Sequence, residues 1–382
     1  MSTYFDNAAT SRTRPEGVYV AMDRFMRDIG VSAGRSVHVP GIEAGRIVEK
    51  TRRLAAALFG VGDSSRVVFM LNCTAALNTA VKGILNAGDH VVTTSVEHNA
   101  VMRPLSAVTA DRGVAVSRAA ADGEGVTDPE SFARLFRPET RLAVMTHASN
   151  VTGAIQPIEE CGRIAREHGV PLLVDAAQTG GCIPLALSNM PVDLIAFSGH
   201  KGLMGPQGVG GLCLRESVEP TPLVHGGTGS RSSEDIQPGM LPDRYESGTA
   251  NMPGLAGLGA ALAFVLAETV EAIRERVCSL GAGILDGLSA VKGVTLFGPR
   301  DMARNIGVFS FRVAGKDPAA AARELETKHG ILTRVGLHCA PSAHRTIGTF
   351  PEGTIRASIG CFTTEDDAAA LLQGVEAICR ER

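Results

Sequence analysis

The chain has 382 residues, 44% hydrophobic and 20% charged, with 37 basic and 40 acidic side chains. That length exceeds one small domain and suits a large domain with a smaller one. A net charge of -3, without basic or acidic blocks, offers nothing that would attract nucleic acid or an anionic membrane.

The first ten residues lack a basic region followed by an apolar core and do not read as a signal peptide. The most apolar later stretch, residues 252–267, is glycine-rich and too short for a membrane span. The eight cysteines are dispersed with no C-x-x-C pair. This spacing predicts neither a disulfide framework nor a metal site. A reducing cytoplasm is the expected compartment.

Short apolar runs alternate with amphipathic stretches. Strands are predicted at 67–70 and 90–94, with a helix over 74–85 that stops near Asn86 and Gly88. Strands follow at 142–146, 171–174, 192–197 and 208–214, with a helix over 158–168. Continuous apolar strands alternating with helices predict an α/β fold with a mostly parallel sheet covered on both faces. Residues 255–289 carry a helical apolar pattern and read as one long connection out of the large domain. Beyond Gly293 the pattern restarts as a compact α+β unit. It has strands near 308–311, 331–332 and 355–358 and helices over 318–329 and 365–378.

Lys201 follows a buried strand and opens a glycine loop, in Ser198-Gly199-His200-Lys201-Gly202. A lysine there is partly desolvated, which lowers its pKa and makes the amine nucleophilic. Asp175 ends another apolar strand, and Gln178 lies three residues on. Alone, Asp175 would read as a helix N-cap. With Gln178 and Lys201 it reads as the partner of a pyridinium nitrogen, and the three residues together as a pyridoxal 5′-phosphate site.

Asn72-Cys73-Thr74-Ala75 lies between a strand and a helix. Free N–H groups at a helix start attract phosphate, with Thr74 able to add a hydroxyl and Ala75 a backbone donor. Ser198 and His200 are further phosphate candidates. His98 follows a strand end, where α/β sheets open onto ligand crevices. It can stack on an aromatic cofactor or be a surface histidine. Asn150 follows another strand end. Arg356 is read at an edge of the small domain. It is either a fork for a carboxylate or half of a surface salt bridge. Cys339 lies in a polar loop, and nearby Arg334, His338 and His344 are read as favouring its thiolate.

These residues resemble the class V aminotransferase group of fold-type-I pyridoxal-phosphate enzymes, and within it the cysteine desulfurases and selenocysteine lyases. The resemblance runs from Tyr4-Phe5-Asp6-Asn7-Ala8-Ala9-Thr10 to Ile355-Arg356-Ala357-Ser358. Between them come Glu97-His98, Ser149-Asn150, Asp175 to Gln178, Ser198 to Lys201, Glu246-Ser247-Gly248-Thr249 and Arg334 to Cys339.

The resemblance implies a fold-type-I architecture. Residues 1–15 would join the small domain to the active site, 16–252 would form the large cofactor domain, and 253–382 the connecting helix and small domain. It implies that Lys201 carries pyridoxal 5′-phosphate and moves the substrate α-proton. Asp175 pairs the ring nitrogen, Gln178 the phenolic oxygen, and His98 stacks on the ring. Thr74, Ala75, Ser198 and His200 hold the phosphate, joined by Thr249 from the other subunit of a homodimer. Asn7, Ala9, Asn150, Arg334 and Arg356 surround the substrate, and Cys339 takes the sulfur. Two positions depart from relatives: Leu337 stands where a second histidine is frequent, and Cys73 where a second threonine is common. The implied activity is conversion of L-cysteine to L-alanine, with a protein or small thiol as sulfur acceptor. The alternatives are a selenocysteine lyase, another class V lyase or epimerase, or an inactive scaffold.

Overall fold

The computed structural model describes residues 2–34 and 38–380. After β1 (Thr3–Tyr4) come α1 (Glu16–Arg24), a π-helical turn at Phe25–Ile29 and the long α2 (Val39–Leu58). The alternation then runs β2 (Val67–Met70), α3 (Cys73–Ile84), β3 (His90–Thr94), α4 (Asn99–Arg112), β4 (Ala115–Ala119) and α5 (Pro129–Ala133). It continues through β5 (Thr140–Thr146), α6 (Ile158–Glu167), β6 (Leu172–Asp175), β7 (Leu194–Ser198) and β8 (Gly210–Leu214).

These strands form a seven-stranded sheet in the order β2-β8-β7-β6-β5-β3-β4. β8 runs antiparallel to both its neighbours, and every other pairing in the sheet is parallel. Alternate residues along each strand feed opposite cores, as a period of two requires. Val92, Ala143, Met145, Val174 and Phe197 enter one cluster. Val91, Leu142, Val144, Leu173 and Ala196 enter the other. Burial on both faces explains why the strands read as unbroken apolar runs.

The stretch expected as one helical connection is two helices, α7 (Met252–Glu268) and α8 (Val270–Ala290), bent by 77°. Thr269 makes the break with φ +67°, and its Oγ1 caps α8 by accepting from Ala272 N. The bend marks a change of core. Leu255, Leu258 and Leu262 of α7 join the large-domain cluster, beside α1 and α2. Val277, Ile284 and Leu288 of α8 join the C-terminal one. No single helix among the described residues is long and apolar enough to cross a membrane.

The C-terminal unit holds β9 (Val294–Phe297), β10 (Val308–Val313), α9 (Pro318–His329), β11 (Ile331–Leu332), β12 (Arg334–Gly336), α10 (Pro341–Thr346), β13 (Thr354–Ser358) and α11 (Glu365–Arg380). Its antiparallel sheet has the order β12-β13-β10-β9. Arg356 therefore lies on an interior strand, not at the expected edge. The edge strands are β9 and β12, and β12 is too short to stand out in the sequence. β1 pairs in parallel with β11, and Asp6 bridges to Ser358. The N-terminal segment thus begins on the small unit and crosses from there to the Lys201 turn.

Candidate active site

The carboxyl ends of β2, β3, β5, β6 and β7 open onto one cavity of about 300 Å³, closed on its far side by Arg334, Cys339 and Arg356 of the small unit. The crevice beyond strand ends is where open α/β sheets bind ligands.

Lys201 sits in the turn after β7. Its backbone carbonyl accepts from Ser11 Oγ at 2.8 Å, and that of His200 from Ser11 N at 2.9 Å. Crossing from the small unit, the N-terminal segment therefore fixes the turn. Burial lowers the Lys201 ammonium pKa, partly opposed by the Asp175 carboxylate. No hydrogen bond or ion pair among the described residues engages its Nζ.

Asp175 is the last residue of β6 and 4% exposed. No helix begins after it. Instead, its Oδ1 accepts from Ala177 N at 2.9 Å and from the Cys73 thiol at 3.3 Å. Gln178 lines the same cavity and donates one amide hydrogen to the Ala8 carbonyl at 3.1 Å.

The cap of α3 is Asn72, whose Oδ1 accepts from Ala75 N at 2.9 Å. That leaves the Thr74 hydroxyl free to face the cavity. It commits the Ala75 amide, and Ala75 lines a neighbouring cleft instead. Ala75 is therefore not a phosphate donor in this arrangement. Ser198 and His200 do line the Lys201 cavity. The His200 Nδ1 lies 3.0 Å from Thr10 Oγ1, and burial followed by the Lys201 charge lowers the ring to about 4. Thr249 is exposed and lies in the same neighbouring cleft as Ala75, so its own chain does not bring it to Lys201.

His98 caps α4: its Nδ1 accepts from Ala100 N at 3.0 Å. An accepting Nδ1 places the ring proton on Nε2. Burial lowers its pKa to about 4, against the pull of Asp175, so the ring is neutral.

On the substrate side, Arg356 is 2% exposed. Its Nη2 meets Asp6 Oδ1 at 2.5 Å, its Nη1 donates to Asn150 O at 3.0 Å, and its Nε has no partner among the described residues. Arg334 lies directly opposite it across the β12–β13 pair and also faces the cavity. Like charges placed opposite one another call for an anion between or beside them. Ala9 lines the cavity. Asn7 does not: its amide donates to Ser358 O at 3.1 Å and it borders a different cleft. Asn7 was expected to surround the substrate; its neighbour Asp6 instead reaches the site, through Arg356.

Cys339 is exposed, whereas the other seven cysteines are buried or half-buried. His338 and Cys339 both have left-handed backbones, with φ +47° and +57°. His338 and His344 do not supply positive charge to the thiol. Burial, with the Arg356 charge next, holds His338 down to about 2, and burial holds His344 near 4. Of the three groups expected to favour the thiolate, Arg334 remains as the cation.

With the geometry established, likeness to known proteins is informative. The family model described as aminotransferase class-V matches residues 3–371. The chain belongs to the class V aminotransferase family. It is 32% identical to a probable cysteine desulfurase of Methanothermobacter thermautotrophicus, over 98% of this chain and 94% of that one. It is 31% identical to a cysteine desulfurase of Escherichia coli O127:H6, over 99% and 93% of the two chains. The apo cysteine desulfurase structure from Thermococcus onnurineus NA1 superposes with a TM-score of 0.93 at 32% identity, covering 100% of this chain and 95% of that one.

Two site residues of this class V chain were given no role by the sequence reading. Asp6 holds Arg356 across 350 positions of sequence, a separation that leaves no local signature. Glu97 is fully buried under the cavity, accepting from Thr94 Oγ1 at 2.6 Å and from Thr146 N at 3.0 Å. Burial raises its carboxyl to about 8. Its signal was an acidic residue three positions after a strand of buried residues.

Proposed function

We propose that this class V chain is a pyridoxal-5′-phosphate-dependent cysteine desulfurase that converts L-cysteine to L-alanine. The observation that carries this reading is one cavity lined by both a half-buried lysine whose amine pKa is lowered, Lys201, and an exposed thiol, Cys339.

The donor set fits the cofactor. Asp175 is a buried carboxylate whose Oδ1 takes two hydrogen bonds and whose Oδ2 takes none among the described residues. Asp175 lines the cavity with that second oxygen uncommitted, and a cationic ring nitrogen would pair with it. Lys201 would hold the carbonyl carbon, Gln178 the phenolic oxygen, and Thr74, Ser198 and His200 the phosphate. When bound, pyridoxal phosphate supplies an electron sink for charge that develops at an amino acid's α-carbon.

The protein's own groups do the rest. Arg356 and Asn150 orient the substrate carboxylate, with Arg334 adding positive charge. Lys201, its pKa lowered by burial, moves the α-proton. The neutral ring of His98 offers Nε2–H at the wall of the site. The Cys339 thiolate attacks the sulfur of L-cysteine. A sulfur–sulfur bond forms, and the substrate's carbon–sulfur bond breaks with its electron pair left on carbon. Protonation of that carbon gives alanine, and Cys339 carries the persulfide.

A second copy of the chain would complete the phosphate site with its Thr249, across the cleft where Leu71, Leu223 and Val224 are exposed. A thiol or thiol-bearing protein would then collect the sulfur from the exposed Cys339.

The test is incubation of the protein with L-cysteine, followed by alanine quantification and mass mapping of persulfide. Stoichiometric sulfur on Cys339 together with alanine is expected. Alanine formed with no sulfur on Cys339 would overturn the proposal.

A further inference from the structure

Cys73 is the first residue of α3 and 4% exposed. It packs in the core between α3 and the sheet, among Val68, Ala76 and Leu77. Its thiol nevertheless points out of that apolar cluster to the carboxylate at the end of β6, 3.3 Å from Asp175 Oδ1. It also borders the Lys201 cavity.

We infer that Cys73 is a positioning residue, whose thiol donates to Oδ1 of Asp175 and holds that carboxylate in the orientation that pairs the cofactor's ring nitrogen. The inference rests on the reading that pyridoxal phosphate occupies this cavity.

The argument is one of donor placement. Among the described residues, both donors that reach the Asp175 carboxylate, the Ala177 amide and the Cys73 thiol, converge on Oδ1. A single backbone donor leaves a carboxylate free to swivel about its own χ2, which is a broad torsion. A second donor from another element fixes the plane and leaves Oδ2 without a donor from the protein. A thiol can do this only while protonated. Burial, with the Asp175 charge next, raises the Cys73 thiol well above its usual range, so it stays S–H at neutral pH. The same protonation removes Cys73 as a nucleophile or sulfur carrier. The two active-site cysteines thus divide the work: Cys339 is exposed and reacts, while Cys73 is buried and orients.

The test compares wild type, Cys73→Ser and Cys73→Ala, each reconstituted with pyridoxal phosphate isotopically labelled at the ring nitrogen. The readouts are the nitrogen chemical shift across the neutral pH range and the cofactor dissociation constant. Serine keeps a donor, so Cys73→Ser should hold the ring nitrogen protonated as wild type does. Cys73→Ala should release that proton at lower pH and weaken cofactor binding by about tenfold, the scale of one hydrogen bond to a charged group. Should Cys73→Ala fold poorly, Cys73→Val fills the space without donating. A donor-free variant with wild-type shift and affinity would overturn the inference. So would a folded Cys73→Ser that behaves like Cys73→Ala, since packing and not donation would then be at work. Wild type that takes up no pyridoxal phosphate would overturn the cofactor reading and this inference together. Wild type with a protonated ring nitrogen and an unchanged Cys73→Ala would overturn this inference only.

Discussion

The backbone N–H of Asn99 donates to the carbonyl of Cys339 at 2.8 Å. Asn99 opens α4, so a helix N-terminus of the large domain holds the small domain's cysteine loop. The preceding carbonyl, that of His338, accepts from Asn150 Nδ2 at 2.7 Å. Two consecutive carbonyls are thus tied to the opposite domain, which sustains two consecutive left-handed residues. Such backbones cost on the order of 1–3 kcal/mol each and persist only where their surroundings over-determine them. The backbone, not the side chain, places the thiol at the cavity.

Because backbone contacts hold the loop, removing the sulfur should leave the site intact. Cys339→Ala is expected to bind pyridoxal phosphate with wild-type affinity. It should lose alanine formation from L-cysteine by about a hundredfold or more, the scale for an essential nucleophile. Turnover close to wild type would show that sulfur leaves without this thiol.

Arg356 is more deeply placed than a surface salt bridge, and this changes how it should be tested. Its ion pair with Asp6 is buried on the arginine side, so Arg356→Ala leaves a carboxylate uncompensated and confounds binding with stability. Arg356→Lys keeps the charge and loses the fork. It should raise the Michaelis constant for L-cysteine by about tenfold with a smaller change in melting temperature. An unchanged Michaelis constant would transfer the carboxylate to Arg334, its neighbour across the β12–β13 pair.

Local motifs were legible and long-range ones were not. Asp175, Ser198 and Lys201 stand at the ends of unbroken apolar runs, and a strand end is visible in sequence. Thr74 was legible as a phosphate candidate, although Asn72 turned out to cap the helix. The faces of α1 and α2 were invisible, because α2 buries small residues such as Ala44, Ala55 and Ala56 and α1 buries a single valine, Val18. The depth of Arg356 depends on a partner at the other end of the chain. The neutrality of His338 and His344 depends on burial, which a loop rich in glycine and proline does not advertise.

Those buried histidines make stability depend on pH. Burial lowers the pKa to about 4 in His90, His147 and His344 and to about 2 in His338. In the unfolded chain each returns to about 6.5. Below that value the unfolded state binds more protons, so the histidine contribution is full above it and is lost as pH falls toward the folded values. Glu97 acts the opposite way: its carboxyl is raised to about 8, and its contribution is lost as pH rises through that value. These four histidines, with His98 and His200 also lowered to about 4, outweigh one glutamate on the acid side. Denaturant unfolding should show a stability loss on the order of 1 kcal/mol per histidine between about pH 7 and about pH 5. Equal stability at both would mean that these rings are not held neutral.

Thr249 gives the sharpest test of assembly. Glu246, at the base of its segment, is clamped by Arg52 at 2.6 and 2.9 Å and by Phe69 N at 2.6 Å. From that anchor the chain runs through exposed Gly248 and Thr249, away from its own Lys201 cavity. A fixed base with an exposed hydroxyl beyond it suits delivery to a neighbouring subunit related by a two-fold axis. Thr249→Ala should weaken pyridoxal-phosphate binding by about tenfold, one hydrogen bond to a charged phosphate. The decisive experiment mixes a Thr249→Ala chain with a Lys201→Ala chain. If the hydroxyl acts in trans, the intact lysine in the mixed dimer faces an intact threonine, and its cofactor affinity returns to wild type. If it acts in cis, the affinity stays at the Thr249→Ala value. A chain that sediments as a monomer while retaining full cofactor and activity would rule out a shared site.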